Sequence, residues 1–430
     1  MKSNYIDKDK THLKYLEQLN SIQSSLFDNM ILKTILFNEA YYTLSVSLKS
    51  ALVDVLKAVV LKPCLIDCKI NGNQILTFYS KNYRSDHDGY WNKILEFTGN
   101  HDEITIESRF LGKFSKIDIR TLLNKITWFL RAYNELKIID FKKDRLYMAA
   151  QLVSRKWVYE NIKKLRLTPK VVMCFFDSSP DENVIMQYFR NIGAITVTNQ
   201  HGLCVFRTRN KGLVDQSQIL NFKCDYFLAK GEMQRKQFIN AGFSGNRIIK
   251  IGIVNAKPSD IAEHKNGIFG VYLDSPTLYF SKDSNKKMID IAKDVSKSTG
   301  YKYLIKTHPA DKTSNYSIDD ANCIGIYGKE TLLTESFGLI DFSIVHASAT
   351  YVDSYSYGIR CFKLETKEPF PIAVEEDCFS TSEDLERMII EWINKQKVDK
   401  RLYIEFVRKQ YDSGWKENNI FDFLTNLLKD

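Results

Sequence analysis

The sequence has 430 residues, a length that suits two domains plus an extension. Of these residues 44% are hydrophobic and 13% aromatic, a composition that excludes a wholly disordered chain. Its formal net charge of +9 fits anionic partners such as phosphate donors, nucleic acid or acidic lipid, and it equally fits a merely lysine-rich surface. Eight scattered cysteines without a CxxC pair predict free thiols in a reducing compartment and no metal site.

Residues 1–62 are predicted to be helical, and Pro63 ends the last helix. The N-terminal segment MKSNYIDKDKTHLKYLEQ lacks the apolar core of a signal peptide, which predicts a cytoplasmic protein. Lys49 and Asp54 interrupt the amphipathic run at 43–62, so a membrane span is disfavoured. Two roles for this helical N-terminal extension stay open, which are packing on the main body and peripheral docking at the inner face of the cell membrane.

Short apolar segments then alternate with helical ones, which predicts an α/β fold with parallel sheets flanked by helices. The polar segment at 254–275 predicts the domain break, so the predicted parts are 1–62, 63–256 and 257–430. Strands are predicted at 74–79, 104–110, 171–177, 194–200, 224–230, 247–253, 277–281, 301–307, 322–327 and 339–345. Helices are predicted at 120–136, 143–165, 231–241, 284–299, 330–337, 381–396, 402–410 and 418–429.

The segment TVTNQHGLC places His201 and Gly202 just past a predicted strand. An imidazole at the tip of a parallel strand can act as a general base, because its ordinary pKa lies near neutral pH. Gly202 would let the backbone approach a ligand closely. A solvated loop histidine explains the same residue without any catalytic role.

Two further segments supply weaker candidates. Asp177 ends a predicted strand in FFDSSPDENV, where helix capping already explains Ser179 and the acids that follow it. His87 lies between two aspartates in SDHDG, a pattern that suits a metal site or a poised base. The same pattern suits a polar turn, and the turn is the favoured interpretation.

The segment KTHPAD closes a predicted strand of the C-terminal half and carries Lys306 and His308. Pro309 fixes an extended bend, so it holds the imidazole at the sheet edge instead of letting it enter a helix. Neutralising the phosphate of a donor substrate would need a cation such as Lys306 or a protonated His308.

The next segment, HASATYVDSYSYG, carries Ser348, Thr350 and Asp353 at a predicted helix start. Hydroxyls and free N–H groups at such a start offer a seat for phosphate. An ordinary N-cap explains one hydroxyl but not the whole cluster of small polar residues. Glu365 lies on the following run CFKLE, and its position alone suggests that it accepts hydrogen bonds from ribose hydroxyls.

The sequence contains no GxxxxGK[ST] loop, no GxGxxG and no GxSxG elbow. Its basic residues do not cluster with aromatic residues along one stripe, so nucleic acid is not a predicted partner. No cofactor and no metal are predicted.

Four segments together resemble bacterial GT-B-fold transferases of surface polysaccharides, namely capsule glycosyltransferases and the related teichoic-acid glycerophosphotransferase group. These segments are NQHG, the run CDYFLAKGEMQRKQFINAGFSGNRIIKIG, KTHPAD and SATYVDSYSYGIRCFKLE. The resemblance covers roughly 170–370. It implies two Rossmann-like domains facing a cleft, with the acceptor on the N-terminal side and the nucleotide donor on the C-terminal side.

The resemblance also implies roles for individual residues. It implies that His201 is the catalytic base and that His308 stabilises the leaving phosphate. Ser348 and Thr350 would hold the donor phosphate, with Asp353 nearby.

Two departures from the teichoic-acid pattern favour sugar transfer over polyol-phosphate transfer. Gln200 stands where that group usually has Trp, and His-Ala-Ser-Ala-Thr stands where it has Asp-Tyr-Ser-Ser. The sequence therefore predicts a glycosyltransferase that moves a sugar from a nucleotide-sugar donor to a lipid-linked or growing cell-surface saccharide. Three alternatives stay open, which are a CDP-polyol phosphotransferase, a non-hydrolysing sugar-nucleotide epimerase and a non-catalytic scaffold for envelope assembly.

Overall fold

The structure is a computed structural model that describes residues 2–81, 85–107, 118–200, 208–209, 213–214, 221–252, 266–276, 281–366, 373–411 and 419–429. The elements up to residue 250 are α1 (Lys2–Asn20), β1 (Gln23–Ser24), β2 (Met30–Ile31), α2 (Leu32–Ile35), α3 (Phe37–Tyr42), α4 (Leu48–Val60), β3 (Leu65–Lys69), β4 (Ile75–Lys81), α5 (Ser85–Glu96), β5 (Asp102–Glu107), α6 (Ile119–Glu135), α7 (Lys142–Lys164), β6 (Val171–Cys174), α8 (Pro180–Asn191), β7 (Ile195–Asn199), β8 (Thr208–Arg209), β9 (Leu213–Val214), β10 (Tyr226–Ala229), α9 (Glu232–Asn240) and β11 (Ile248–Lys250).

The later elements are β12 (Ile268–Tyr272), α10 (Ser281–Thr299), β13 (Lys302–Lys306), β14 (Cys323–Tyr327), α11 (Leu333–Phe337), β15 (Phe342–Val345), α12 (Thr350–Ser356), β16 (Arg360–Leu364), β17 (Cys378–Phe379), α13 (Ser382–Asn394), α14 (Lys397–Tyr411) and α15 (Asn419–Lys429). Among these helices and those before them, none in the described ranges is both long enough and apolar enough to cross a membrane. The chain forms two compact units. The first lies within Met1–His201, Thr208–Leu228 and Asn418–Asp430, and the second lies within Gly202–Arg207 and Ala229–Glu417.

The first sheet has the strand order β11-β10-β7-β6-β4-β5-β3. The strands from β10 to β5 pair parallel, and β3 pairs antiparallel with β5 at the edge. Strand β6 is buried throughout, which explains its unbroken apolar sequence VVMC. The chain adds strands on one side of β4 and then, from β6 onward, on the other side. The strand order therefore reverses between β4 and β6.

The N-terminal helices pack into the first unit, as the packing role of residues 1–62 predicts, and the docking role stays a prediction. The Tyr15 hydroxyl donates to Asp144 Oδ2 of α7 at 2.6 Å, and the buried Arg155 guanidinium pairs with Glu39. The predicted continuous helicity is wrong between α1 and α2, where β1 and β2 form a two-stranded ribbon. Asp28 and Asn29 turn this ribbon with φ values of 47° and 65°, a conformation that these two residue types tolerate.

The C-terminal helix α15 also packs in the first unit, whereas the sequence grouped it with 257–430. Its apolar face buries Ile420, Leu424 and Leu427, and Lys170 Nζ donates to Leu428 O at 2.8 Å. An amphipathic pattern shows that a helix covers a core but not which core it covers. The boundaries at 62/63 and 256/257 stay predictions.

The second sheet is parallel throughout and has the order β14-β13-β12-β15-β16-β17. Counted along the chain this is the order 3-2-1-4-5-6 of Rossmann-like folds, which reverses between β12 and β15. The α/β prediction with two Rossmann-like sheets is therefore confirmed. The facing of the two domains across a cleft stays a prediction.

The central strand β12 corrects one prediction, because it lies inside the predicted linker 254–275. Gly270 in the middle of this strand sits against other side chains. A Cβ there would lie 2.6 Å from the Tyr272 ring and 3.0 Å from Ile340, so packing requires glycine. Most of the strand predicted at 277–281 lies outside the described residues, and Ser281 begins α10 instead.

Candidate functional site

Asp274 and His346 meet where the order of the second sheet reverses. Asp274 follows β12 and His346 follows β15, and both side chains are fully buried. His346 Nδ1 lies 2.7 Å from Asp274 Oδ2, and the backbone N–H of Ala347 donates to Asp274 Oδ1 at 2.8 Å. One carboxylate therefore holds the chain that leaves β15 against the end of β12.

The same carboxylate connects to the helix and the turn beside β13. The Ser284 hydroxyl donates to Asp274 Oδ2 at 2.8 Å, and Asp274 N donates to Asn285 Oδ1 at 2.8 Å. The Asn285 amide donates to the Tyr316 hydroxyl at 3.3 Å, and that hydroxyl donates to Asp311 Oδ2 at 2.8 Å. Hydrogen bonds therefore link the carboxyl ends of β12 and β13.

On its other side the network reaches the end of β16. His346 Nε2 lies 3.0 Å from the Thr366 hydroxyl. An ionised Asp274 can only accept, so Nδ1 carries the proton that faces it. In the neutral imidazole Nε2 then accepts from Thr366. Both ring nitrogens are thus engaged, and the imidazole orientation is fixed.

The predicted phosphate residues lie in the loop that Asp274 anchors. The Ser348 hydroxyl donates to Thr350 Oγ1 at 2.9 Å and accepts from the backbone N–H of Thr350 at 3.2 Å. This loop opens α12, a helix of seven residues. Burial raises the pKa of Asp353 in this helix, and the positive charge of Lys230 opposes that rise. The structure therefore brings Ser348, Thr350 and Asp353 together beside the point of reversal.

Lys306, His308 and Glu365 also lie at the carboxyl ends of strands, but each contacts other groups. Lys306 is buried, and its Nζ donates to Gly328 O at 2.5 Å, while burial lowers its pKa. His308 Nδ1 accepts from the backbone N–H of Ala310 at 3.1 Å, so its neutral form carries the proton on Nε2. The exposed Glu365 accepts from Lys363 Nζ at 3.1 Å. Their proposed roles at the donor stay predictions.

A cavity of about 500 Å³ adjoins the network. It lies between α10 and the segment 311–318, and Asn285, Tyr316 and Asp311 of the network form part of its wall. Lys282 and Lys286 also line it. Its size is that of pockets that hold small molecules.

The weaker candidates in the first unit are tied to the fold. Asp177 Oδ2 accepts from the backbone N–H groups of Lys223 at 2.5 Å and Cys224 at 2.7 Å, and burial raises the pKa of Asp177 to about 6. These contacts give Asp177 a structural role in holding the chain before β10. His201 and Gly202 lie outside the described residues.

The favoured turn at SDHDG is wrong, because α5 begins at Ser85 and contains His87. Ser and Asp suit the first turn of a helix as well as they suit a turn, so their presence does not separate the two. The His87 side chain is buried, with its ring centroid 5.2 Å from that of Phe175. The Asp88 carboxylate accepts from the Tyr79 hydroxyl at 2.7 Å.

Glu182, which the sequence did not single out, has its carboxylate where the strand order of the first sheet reverses. Its Oε1 accepts from Ser80 N at 2.8 Å and its Oε2 from Phe176 N at 2.5 Å, so it joins the carboxyl ends of β4 and β6. Burial raises the pKa of Glu182 to about 8. Within the part of the chain that the structure describes, no group of three or more His, Cys, Asp and Glu side chains is placed to hold a metal ion.

No family model matches this chain, and no curated protein matches it. Solved structures match it in part. TarM is 15% identical with a TM-score of 0.46, over 64% of this chain and 58% of that chain. This chain thus spans 58% of the length of TarM.

Two further structures cover more of the chain. The lipopolysaccharide outer core galactosyltransferase WaaB is 15% identical with a TM-score of 0.45, over 83% of this chain and 99% of that chain. Methanocaldococcus jannaschii UDP-GlcNAc 2-epimerase, in complex with UDP-GlcNAc and UDP, is 12% identical with a TM-score of 0.49 over the same shares. The function of this chain therefore has to be inferred from its own residues.

Proposed function

We propose that this chain is a glycosyltransferase that moves a sugar from a nucleotide-sugar donor to a lipid-linked or growing cell-surface saccharide. The observation that carries the proposal is the network from Asp274 to His346 at the reversal point of a 3-2-1-4-5-6 sheet. Open α/β sheets bind their ligands outside the carboxyl ends of the strands at that point. The resemblance of KTHPAD and SATYVDSYSYG to surface-polysaccharide transferases supports the reaction class.

The donor would bind along this edge of the second unit. Ser348 and Thr350 would turn their hydroxyls from each other to the donor phosphate, on a loop whose position is fixed by the bond from Ala347 N to Asp274. Lys282 and Lys286 bring positive charge to the adjoining cavity, which suits a diphosphate. Asp274 touches neither phosphate nor sugar in this arrangement and is a positioning residue.

In the proposed reaction an acceptor hydroxyl oxygen attacks the anomeric carbon of the donor sugar. The bond from that carbon to the phosphate oxygen breaks, and its electron pair stays on the departing nucleotide. His201 takes the hydroxyl proton, and His308 donates from Nε2 to the phosphate as its charge develops. These two roles rest on the resemblance and on the positions of the residues after their strands.

The direct test is turnover of purified full-length protein with a panel of nucleotide sugars. Nucleotide release that requires both donor and acceptor supports sugar transfer. Interconversion of the donor without acceptor would mean an epimerase, and transfer of polyol phosphate from a CDP-polyol would mean a phosphotransferase. No turnover with any of these substrates would favour a scaffold and overturn the proposal.

The base is tested by His201→Ala, with His87→Ala as the comparison. We expect His201→Ala to lower kcat by about 10²–10⁴-fold with donor affinity nearly unchanged, because general-base assistance is worth that range. The acid limb of the pH–rate profile should disappear in the same variant. Near wild-type turnover of His201→Ala, together with loss of activity in a folded His87→Ala protein, would reverse the two roles.

A further inference from the structure

Helix α6 of the first unit exposes an apolar stripe. Ile119, Leu123, Ile126 and Leu130 are 77%, 58%, 40% and 62% exposed. They are spaced by three or four residues, so they lie on one face of the helix. Ala132 of the same helix is buried on the opposite side. The stripe is thus turned away from the core that α6 covers.

Helix α4 lies beside α6 and exposes a similar stripe. Leu48, Leu52 and Leu56 follow one another at every fourth residue and are all at least half exposed. Lys125 Nζ of α6 donates to the carbonyl oxygens of Ala58 at 3.0 Å and Leu61 at 2.5 Å, which ties the two helices together.

Both helices share a small core with α7. This core is formed by Ala58, Ala150 and Val153, and Phe129 of α6 packs against it. Counted at about 100° per residue, the exposed leucines of α4 are centred about a third of a turn away from Ala58 around the helix. They therefore lie off the side of α4 that faces this core. Both stripes are therefore left exposed on neighbouring helices that pack on α7.

Three exposed cations border the two stripes, and they are called the cationic border here. Arg120 and Arg131 of α6 are eleven positions apart, which places them within about 20° of each other on one flank of the helix. Lys49 of α4 lies within about 20° of Leu56 around that helix. By the same count the two arginines lie a little more than a quarter of a turn from the centre of the α6 stripe, so they flank the exposed leucine and isoleucine side chains.

The acids at the two ends of α6 already hold backbone groups. The Asp118 carboxylate caps the start of the helix by accepting from Thr121 N at 2.8 Å. The Glu135 carboxylate accepts from Ser24 Oγ at 2.7 Å and Ser25 N at 2.9 Å. Between these two ends the described helix carries Arg120, Lys125 and Arg131 and no acid.

We propose that α4 and α6 form a surface that seats the first unit on an anionic lipid bilayer. The apolar stripes enter the boundary between headgroups and acyl chains, and the cationic border meets lipid phosphates. A second copy of the chain is a poorer occupant, since a two-fold contact would bring these like charges together. The sequence placed membrane docking in residues 1–62 alone, and α6 extends that surface. This surface does not depend on the proposed reaction.

The test is flotation of the full-length protein with vesicles of phosphatidylcholine alone or mixed with phosphatidylglycerol, without any donor or acceptor. Wild type should bind the anionic vesicles and bind the neutral ones less. The Leu123→Asn, Leu130→Asn double variant should bind at least about tenfold more weakly, because it removes two apolar anchors. The Lys49→Gln, Arg120→Gln, Arg131→Gln variant should lose the preference for anionic lipid, and a preference that it keeps in full would remove the cationic border from the proposal.

Leu402→Asn with Val398→Asn is the matched control, since these residues are similarly exposed on α14 of the second unit. It should bind vesicles like wild type. All of these positions are exposed, so the variants should keep the wild-type melting temperature. If Leu123→Asn or Leu130→Asn lowers it, Ile119→Asn takes the place of that substitution. Absence of vesicle binding by wild type, or an unchanged Leu123→Asn, Leu130→Asn protein, would overturn the proposal. A concentration-dependent dimer that only this double variant abolishes would make a second copy the occupant instead.

Discussion

Replacing Asp274 by alanine would remove the acceptor of three buried hydrogen bonds. The donors left behind are His346 Nδ1, Ser284 Oγ and the backbone N–H of Ala347. A buried donor without a partner costs about 1–3 kcal/mol, and a hydroxyl or imidazole can find a partial substitute. We therefore expect a loss of about 3–5 kcal/mol in the free energy of unfolding, which lowers the melting temperature by roughly 6–20 °C.

Asp274→Asn should recover most of this loss. Its amide oxygen can accept from Ala347 N, and its amide N–H groups can donate to Ser284 Oγ and to His346 Nδ1. The imidazole proton then moves to Nε2 and faces the Thr366 hydroxyl, which can accept it. The alanine variant should also bind nucleotide more weakly than the asparagine variant, because its loop after β15 has lost its anchor.

The assay is urea unfolding followed by circular dichroism, with calorimetry for nucleotide affinity. Asp294→Ala on the exposed face of α10 is the control, and its free energy of unfolding should stay within about 0.5 kcal/mol of wild type. If Asp274→Ala stays within about 1 kcal/mol of wild type, the network does not hold this edge of the sheet. Equal losses for the alanine and asparagine variants would contradict the proposed rearrangement of the hydrogen bonds.

Three further predictions concern single sites. Ser348→Ala with Thr350→Ala should weaken the free energy of donor binding by about 1.5–3 kcal/mol per lost bond to phosphate, and unchanged affinity in calorimetry would rule out the phosphate assignment. His308→Ala should lower kcat by about 10²–10³-fold and change donor affinity less, whereas a folded variant with wild-type turnover would make His308 structural. Burial raises the pKa of Glu182 from its ordinary 4.5 to about 8, so the folded state holds that proton more tightly than the unfolded state. The stability of wild type relative to Glu182→Gln should thus fall by up to a few kcal/mol as pH rises from about 4.5 to about 8 and then level off, and a difference that is constant with pH would contradict this.

The sequence supported the α/β fold because most strands are apolar runs bounded by polar turns. It also found the loop of Ser348 and Thr350, since a cluster of small hydroxyl residues after a strand is visible without tertiary contacts. Asp274 was missed for a local reason. Gly270 and the polar residues before it made the segment look like a linker, although IFGVYLD ends in an acid as a strand of this sheet edge would.

Other features depend on contacts between distant residues. The carboxylate of Glu182 accepts from Ser80 N, which is 102 positions away, so its sequence neighbours suggested only a helix-start acid. His346 was passed over because its partner Asp274 is 72 positions away. The burial of Asp177 likewise follows from backbone groups at Lys223 and Cys224 that no local pattern reveals.

The central claim is that the edge between β12 and β15 binds the donor nucleotide. Hydrogen exchange of the full chain, measured by mass spectrometry with and without UDP, CDP, GDP, dTDP or CMP, tests it most directly. The account predicts that at least one of these nucleotides slows exchange in the segments 273–276 and 346–350, and that Ser348→Ala with Thr350→Ala weakens this protection. Protection confined to the first unit, or no protection by any of the five nucleotides, would contradict it.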